Sequence, residues 1–467
     1  MKHKMIGKKG FILSLITLML VLSACSSSNP SASSPVNSLS NEEKSATDKP
    51  NSNEKKVITL SVIKSTRFLE LAKEKFEAAN PTIKIEIKPS YTVPEVSGRI
   101  TVARGGGINP VEVEKFVTTV NAELMNGNAS DIIAVDELAY NKYAEKGLLT
   151  NLIDFMDKTN GFNQDDYFMN VLDALKNKDG LYALPYGVMT SVWFGNQERL
   201  AGLNLDPAKA WTWDEFEKKM KTLANDGSKD PLVRYLNPDK LLLEMVSKDM
   251  DKFLDVNEKK AKFQDQAFID MLKQAKSFYD LKIISPLEQP KGPGKAIKMG
   301  ESLGLKDALS LSEITTYSSL SFASMFYDKP LLYQAPTSEP KDGNSFESNM
   351  LLSINNKSEN KKEAWSFLQF LISEEMQSSP ELEGLPVNKK ASQAQIDASA
   401  ANKDMKLSPE FIEAAKELLP QLKRYSGLDP KIKKILIDET EPFFSGQKSA
   451  ETVANSIQNK VSLYLEE

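Results

Sequence analysis

From Ile58 onward, short apolar runs of period two alternate with longer runs of period 3.6, and no other feature constrains the chain as strongly. Ile58, Leu60 and Val62 alternate with polar or small residues, the period of a strand. A helix follows from about Arg67, carrying Phe68, Leu69, Ala72, Phe76 and Ala79 on one face, and Asn80-Pro81 ends it. Ile83, Ile85 and Ile87 alternate as a second strand. Asn109-Pro110 then supplies a cap and a first-turn proline to a helix bearing Phe116, Val117, Val120 and Leu124. Ile132 to Val135 reads as a short buried strand, and a further helix runs to Gly147. Strand–helix alternation of this kind predicts an α/β fold with parallel pairing and right-handed crossovers. At 467 residues the chain is long enough for two or three domains.

The second half reads as more helical. Asp179-Gly180 turns into an extended stretch over 181–186, and residues 192–195 form another strand. Thr212 with Glu215 three residues later fits a capping box, opening a helix through Phe216, Met220 and Leu223. Further helices are expected over 238–254, 265–282, 359–377, 408–424, 429–439 and 449–465. There is no internal repeat.

Composition excludes several chemistries. The single histidine, His3, lies in a segment expected to be removed, which leaves no histidine for a catalytic triad or a metal site. One cysteine cannot build a disulfide framework or a cysteine-ligated metal centre. Lys plus Arg number 59 against 64 acids, a formal charge of −5, which gives no basis for binding nucleic acid. Gly105-Gly106-Gly107 leads into no lysine–serine pair, so a phosphate cradle is not supported. Asp255-Val256-Asn257 lacks the glycine and distal glutamate of a calcium loop. Asp165-Asp166 and Glu374-Glu375 are neighbours in sequence and do not face one another across a scissile bond. The expectation is a non-catalytic protein with no cofactor and no metal.

The N-terminus has the layout of an export signal. Lys2, Lys4, Lys8 and Lys9 precede an apolar run from Phe11 to Leu22, with the small residues Ser23 and Ala24 directly before Cys25. That run is too short to span a bilayer, which takes about 20 residues. Leu22-Ser23-Ala24-Cys25 resembles the lipobox of bacterial lipoproteins, which implies cleavage after residue 24, lipidation of Cys25 and anchoring on the outer face of the cell membrane. Residues 25–56 are rich in Ser, Asn, Pro, Lys and Glu and read as a disordered tether with a reach of about 30 Å.

Several strings behind that segment are familiar in order. Asp131-Ile-Ile-Ala-Val-Asp136, followed by Tyr143-Ala-Glu-Lys-Gly-Leu-Leu149, resembles the "PDI … GLL" stretch of the extracellular solute-binding proteins of family 1. Gly180-Leu-Tyr-Ala-Leu-Pro-Tyr-Gly187 is similar to that family's "GKLYGLPYG", residues 192–200 to its "YYNKDLF", and Trp211-Thr-Trp-Asp-Glu-Phe216 to its "P-TWDEF". The stretch 358–371, with Ser373-Glu374-Glu375 and Leu385-Pro386-Val387-Asn388, resembles "SKNKEAAWEFLKFL-SEE, LPVN". The resemblance covers about 57–467. It departs from the family over 89–125 and in lacking a "GKVAM"-type strand near 300–320.

The resemblance implies a two-lobed, type II periplasmic-binding-protein-like α/β fold, each lobe a mainly parallel sheet flanked by helices and hinged at a cleft. Lobe 1 is expected at 57–188 plus 349–390 and lobe 2 at 189–348 plus 391–467, with residues 185–188 as the first crossing. It further implies a monomeric, membrane-anchored receptor that captures a mono- or oligosaccharide and delivers it to the transmembrane subunits of an ABC permease. A surface adhesion or structural lipoprotein on the same scaffold, or a secreted glycan-active enzyme, are the alternatives.

Parallel sheets bind ligands beyond the carboxyl ends of their strands. That rule nominates Lys64 and Arg67 after the first strand, and Asp136 and Glu137 after the third. Sugars also call for flat aromatic surfaces. Tyr186 beside the crossing, Trp193 on the next strand, and Tyr327 and Tyr333 before Pro336 are the candidates, each with core packing as its alternative. Asp136 has helix capping as its alternative, and Arg67 a solvated helical first turn. Trp213 and Trp365 sit at helical core spacing and read as structural.

Overall fold

The computed structural model describes residues 55–91, 110–158, 161–207, 209–224, 232–255, 258–286, 307–321, 323, 327, 329–339, 343–403 and 407–466. The signal segment, Cys25, the tether as far as residue 54 and the glycines 105–107 fall outside them.

In chain order the strands are β1 (Lys56–Val62), β2 (Ile83–Pro89), β3 (Ile132–Ala134), β4 (Leu184–Pro185), β5 (Val188–Asn196), β6 (Leu254–Asp255), β7 (Lys260–Ala261), β8 (Leu309–Ile314), β9 (Pro330–Tyr333), β10 (Asn344–Ser348), β11 (Leu351–Ile354) and β12 (Leu422–Tyr425). They form two five-stranded sheets and a small β6–β7 ribbon. The first sheet has the order β2-β1-β3-β11-β4, and the second has β12-β10-β5-β8 with β9 also pairing β5. β1 begins at Lys56, the last residue assigned to the tether.

The expected alternation forms as read at the start of the fold. β1 pairs in parallel with β2 and β3, linked by the helix Arg67–Ala79. Thr66 caps that helix by accepting from the Leu69 amide, and Phe68, Leu69, Ala72 and Phe76 are its buried face. Asp131, at the entrance to β3, ties the strands together. Its Oδ2 accepts from Thr59 N and Thr59 Oγ1, both at 2.8 Å, and its Oδ1 accepts from Ser358 Oγ at 2.6 Å. Burial alone would raise this carboxyl; the hydrogen bonds from Ser358, Thr59 and Asn360 win and hold it below the ordinary range.

Strand direction corrects the expectation of two mainly parallel sheets. β11 runs antiparallel to both β3 and β4, and in the second sheet only β10–β12 is parallel. Where the chain passes between the sheets the cause is the crossing itself, while β8 and β9 run antiparallel to β5 within the second sheet. β5 enters the second sheet directly after β4 leaves the first, and β11 enters the first sheet directly after β10 leaves the second. Neighbouring strands on opposite legs of a two-way crossing must run in opposite directions.

The passage between the sheets is therefore two nearly continuous ribbons, joined through Tyr186-Gly187 and through Asn349-Met350. A third segment lies against them. Val188 and Leu385 exchange backbone hydrogen bonds at 3.1 and 2.7 Å, and Asn349 Nδ2 donates to the Glu383 carbonyl at 2.5 Å. The fully buried Gln377 fastens this knot, donating to the Tyr186 carbonyl at 2.6 Å and accepting from the Val387 amide at 2.7 Å.

The second half is built as expected at Thr212, whose hydroxyl caps Glu215 N at 3.1 Å while Glu215 Oε2 accepts from Thr212 N at 2.8 Å. The helix expected over 408–424 stops at Lys416, and residues 422–425 are β12 instead. The 238–254 helix breaks after Lys248 into a second short helix, Met250–Phe253. A strand also exists where none was expected near 300–320, namely β8.

β5 separates two cores. Val192 and Phe194 face one, where Phe194 stacks on Phe411 at 6.0 Å. Trp193 faces the other, together with Trp213, Phe216, Met245 and Phe278.

Candidate functional site: the cleft between the two sheets

A cavity of about 420 Å³ opens where the two sheets face each other. From the first sheet it is lined by Asp136 and Glu137, which follow β3. The second sheet contributes Met189 and Ser191 of β5, Glu313 of β8 and Glu347 of β10. Side-chain parity explains this floor. Met189 and Ser191 point to one face of β5, and Glu347 and Glu313 are their directly opposed partners on the two flanking strands.

The helix Pro238–Lys248 forms one wall with Lys240, Leu243, Glu244, Ser247 and Lys248, a spacing that puts all five on one face. Lys248 is almost fully buried. Its ammonium donates to Ser345 Oγ at 2.5 Å and lies 3.3 Å from Glu244 Oε1. Tyr235 and Tyr425 add aromatic surface. Tyr235 holds a left-handed backbone, φ +63°, which is unusual for an aromatic residue. Tyr425 packs on Phe346, with ring centroids 5.6 Å apart. Near the cleft, Lys142 of the helix Tyr140–Glu145 reaches Tyr464 of the C-terminal helix, donating to its carbonyl at 2.7 Å with the ammonium 3.8 Å from the ring centroid.

The structure brings together only part of the set nominated from sequence. Asp136 and Glu137 line the cleft. Lys64 is half-buried and does not line it. Arg67 is exposed on the first turn of its helix, beside Glu70 and Glu74. The four aromatic candidates are core, which corrects their assignment to the cleft wall. Tyr186 is buried against Phe68 with centroids 4.9 Å apart, and Trp193 is enclosed by Trp213 and Phe216. Tyr327 is buried, and Tyr333 packs beside Trp211. Burial of a whole ring leaves no face for a solute. The residues that reasoning from sequence missed are Tyr235, Glu244, Lys248, Glu313, Glu347 and Tyr425. One signal was available: Glu244 interrupts an otherwise apolar run from Leu241 to Val246, and Lys248 follows it at i,i+4 on the same helix face.

Asp136 is the most perturbed acid on the wall. Its Oδ1 is enclosed and accepts no hydrogen bond. Burial pushes the carboxyl up to about 7; amides of Asp136 and Leu351 act against this and Glu137 adds to it. The folded state therefore holds this proton more tightly than the unfolded chain does. Stability falls as pH rises from about 4 to about 7 and is level above that. Asp136→Asn removes the dependence. The variant is expected to gain on the order of 2 kcal/mol over the parent at pH 8 and almost nothing at pH 4, read from urea midpoints at both pH values. An equal gain at both would show that the Asp136 carboxyl is not held protonated.

Among the described residues no group of acids, histidines or cysteines has the arrangement to hold a metal ion, and no helix is long and apolar enough to cross a membrane.

Against known proteins, the sequence pattern of the bacterial extracellular solute-binding proteins matches residues 63–378, well over half of the chain, and the chain belongs to that family. The family is one of binding proteins. Solved structures show the same fold. The sugar-binding protein MalE from Xanthomonas citri superposes with a TM-score of 0.61 at 14% identity, over 88% of this chain and 97% of that one. An ABC substrate-binding protein from Listeria monocytogenes, in complex with cycloalternan, gives 0.57 at 17% identity over 88% and 100%. UgpB from Mycobacterium tuberculosis, in complex with glycerophosphocholine, gives 0.57 at 16% identity over 88% and 98%. At these identities the likeness is one of fold: the two-lobed, type II periplasmic-binding-protein-like α/β architecture.

Proposed function

We propose that this chain is the solute-capturing lipoprotein of an ABC importer and that it holds a mono- or oligosaccharide in the cleft between its two sheets. The observation that carries this reading is the cavity itself, which draws its lining from both sheets and sits at the crossing ribbons. A solute touching both walls favours the arrangement in which they are close, so binding and closure are coupled. Lobes at 57–188 plus 349–390 and at 189–348 plus 391–467 would be the moving bodies.

The lining suits hydroxylated solutes. Carboxylates accept from hydroxyls, serine and asparagine side chains both donate and accept, and Tyr235 and Tyr425 offer ring faces to sugar C–H surfaces. Cycloalternan in the Listeria protein and the sugar-binding description of MalE support the same class. Lipidation at Cys25 would hold the monomer on the outer face of the membrane, with residues 25–56 as its tether. Transport energy would come from the partner permease's own ATPase subunits.

A melting screen across neutral, acidic and amino sugars, from monomers to oligomers, tests this reading. A ligand at a hundredfold excess over Kd stabilises by about 2.7 kcal/mol, a shift of several degrees. No shift with any carbohydrate would end the proposal.

A further inference from the structure

Lys142 and Tyr464, 322 residues apart in the chain, meet across the boundary between the two cores. The helix Tyr140–Glu145 stands on the first core, where Tyr140 is buried and its hydroxyl donates to the Leu175 carbonyl at 3.0 Å. The C-terminal helix, Ala450–Glu466, stands on the second through Val453, Ile457, Val461 and Leu465. In the lobes proposed above, the two helices move with different bodies. Lys142 bridges them, its ammonium donating to the Tyr464 carbonyl at 2.7 Å and lying 3.8 Å from the ring centroid. Tyr464 is in the last turn of its helix, where carbonyls have no amide ahead of them and the helix dipole is negative. One cation thus answers an orphan carbonyl, a dipole end and a ring face together.

The ring is made ready by its own lobe. Its hydroxyl donates to Asp429 Oδ2 at 2.7 Å, while Asp429 Oδ1 accepts from Lys431 N and Ile432 N and caps the helix Pro430–Phe444. The Lys431 ammonium, 5.8 Å from the ring centroid, belongs to that same body and would travel with it. Behind the Lys142 contact the bodies are not packed shut. A void of about 60 Å³ remains, with Leu138 and Ala139 on one side and Leu254, Ile432 and Leu465 on the other. Asp136, Tyr425, Gly427, Leu428 and Pro430 line both this void and the cleft, so the contact stands at one end of the solute cavity.

A second tie joins the lobes from Asn170 Nδ2 to the Leu419 and Leu422 carbonyls, at 2.8 and 2.7 Å. It starts beside the third crossing segment, where the Phe168 amide donates to the Val387 carbonyl at 3.0 Å. A tie beside the crossing can survive opening, whereas one at the end of the cleft must break.

We propose that Lys142 and Tyr464 form a latch that holds the two lobes together at one end of the cleft with no solute bound. This rests on the lobes moving as proposed above, and not on what the solute is. The latch biases the empty receptor toward its closed form, and every solute that needs closure gains affinity from the same bias.

The test is the distance between two spin labels on the solute-free mature chain. One is placed at Thr118→Cys, exposed on the first-lobe helix Pro110–Asn126, and the other at Asn459→Cys, exposed on the C-terminal helix. Cys25→Ser confines labelling to this pair. In the otherwise unaltered chain a short-distance population is expected to dominate. Lys142→Met should lower the ratio of short to long distances by about tenfold. Lys142→Arg, which keeps the cation, should retain most of the short population. Tyr464→Ala, which keeps the carbonyl and removes the ring, should fall between the parent and Lys142→Met. Melting curves establish that each variant is folded. A distribution in Lys142→Met identical to the parent's would overturn the latch, as would a parent whose solute-free lobes are already predominantly apart. With no solute present, either result leaves carbohydrate capture standing, and a sugar screen without a hit leaves the latch standing.

Discussion

Trp193→Ala is expected to remove about 3–5 kcal/mol of folding stability while leaving solute affinity of the folded protein within about twofold of the parent. The side chain is completely buried, and its ring meets Trp213 edge-on at 6.2 Å and Phe216 at 5.5 Å. Removing it leaves a cavity between β5 and the helix Trp213–Ala224 that rigid neighbours on both sides cannot fill. The prediction is informative because Trp193 lies on the same face of β5 as Met189 and Ser191, which line the cleft. Parity puts it on the correct face; the helix cover puts it out of reach. Ser191→Ala should show the opposite balance, with stability changed by less than about 0.5 kcal/mol and solute affinity reduced. Urea unfolding and titration of both variants check this. A large affinity loss at unchanged stability for Trp193→Ala would place the ring in the binding site after all.

The second large effect is expected at the crossing. Gly384 has φ +129°, a conformation essentially reserved for glycine, and its α-carbon lies against Gly187 on the first ribbon. A Cβ at 384 would stand 2.7 Å from Gly187 Cα, 2.8 Å from its carbonyl carbon and 3.0 Å from Val188 N. These are backbone atoms and cannot rotate away. Gly384→Ala therefore combines backbone strain of about 1–3 kcal/mol with a clash that must push the 383–387 segment off the ribbon. Leu385 and Val188 would then lose their paired hydrogen bonds. A total loss of about 3 kcal/mol or more is expected, with amide exchange at Val188 and Leu385 accelerated well beyond the rest of β5. If the variant melts like the parent with those amides still protected, the third segment is not part of the crossing's rigidity.

The two predictions show where reading the sequence succeeds and where it stops. The opening strands and helices were legible because each buries one face, and a buried face imposes a period: Ile58, Leu60 and Val62 on β1, and Phe68, Leu69, Ala72 and Phe76 on the helix after it. The Thr212–Glu215 box was legible because a cap depends on residues three apart. β12 was not, since Leu422-Lys-Arg-Tyr425 has only one apolar residue of the period and owes its extension to pairing with β10. β8 had a readable alternation in Leu309 and Leu311 that its polar partners obscured.

For the cleft, position along the chain was a better guide than residue type. Asp136 and Glu137 were found because the end of a parallel strand is a fixed place in an α/β fold. The aromatic candidates failed because a tryptophan or tyrosine serves a core and a sugar equally well, and only the neighbours decide which.

By itself, then, the sequence determined the α/β class, the early parallel strands, the exclusion of histidine and cysteine chemistry, and a wall of carboxylates after β3. Those follow from local periods, local caps and the residue types present. The tertiary structure alone decided which faces remain open to solvent, that β5 and β10 run in opposite directions, and that Tyr425 meets Asp136 at one cavity across nearly three hundred residues of chain. Such meetings depend on long-range packing, in which many distant contacts act together and no stretch of a few residues carries the information.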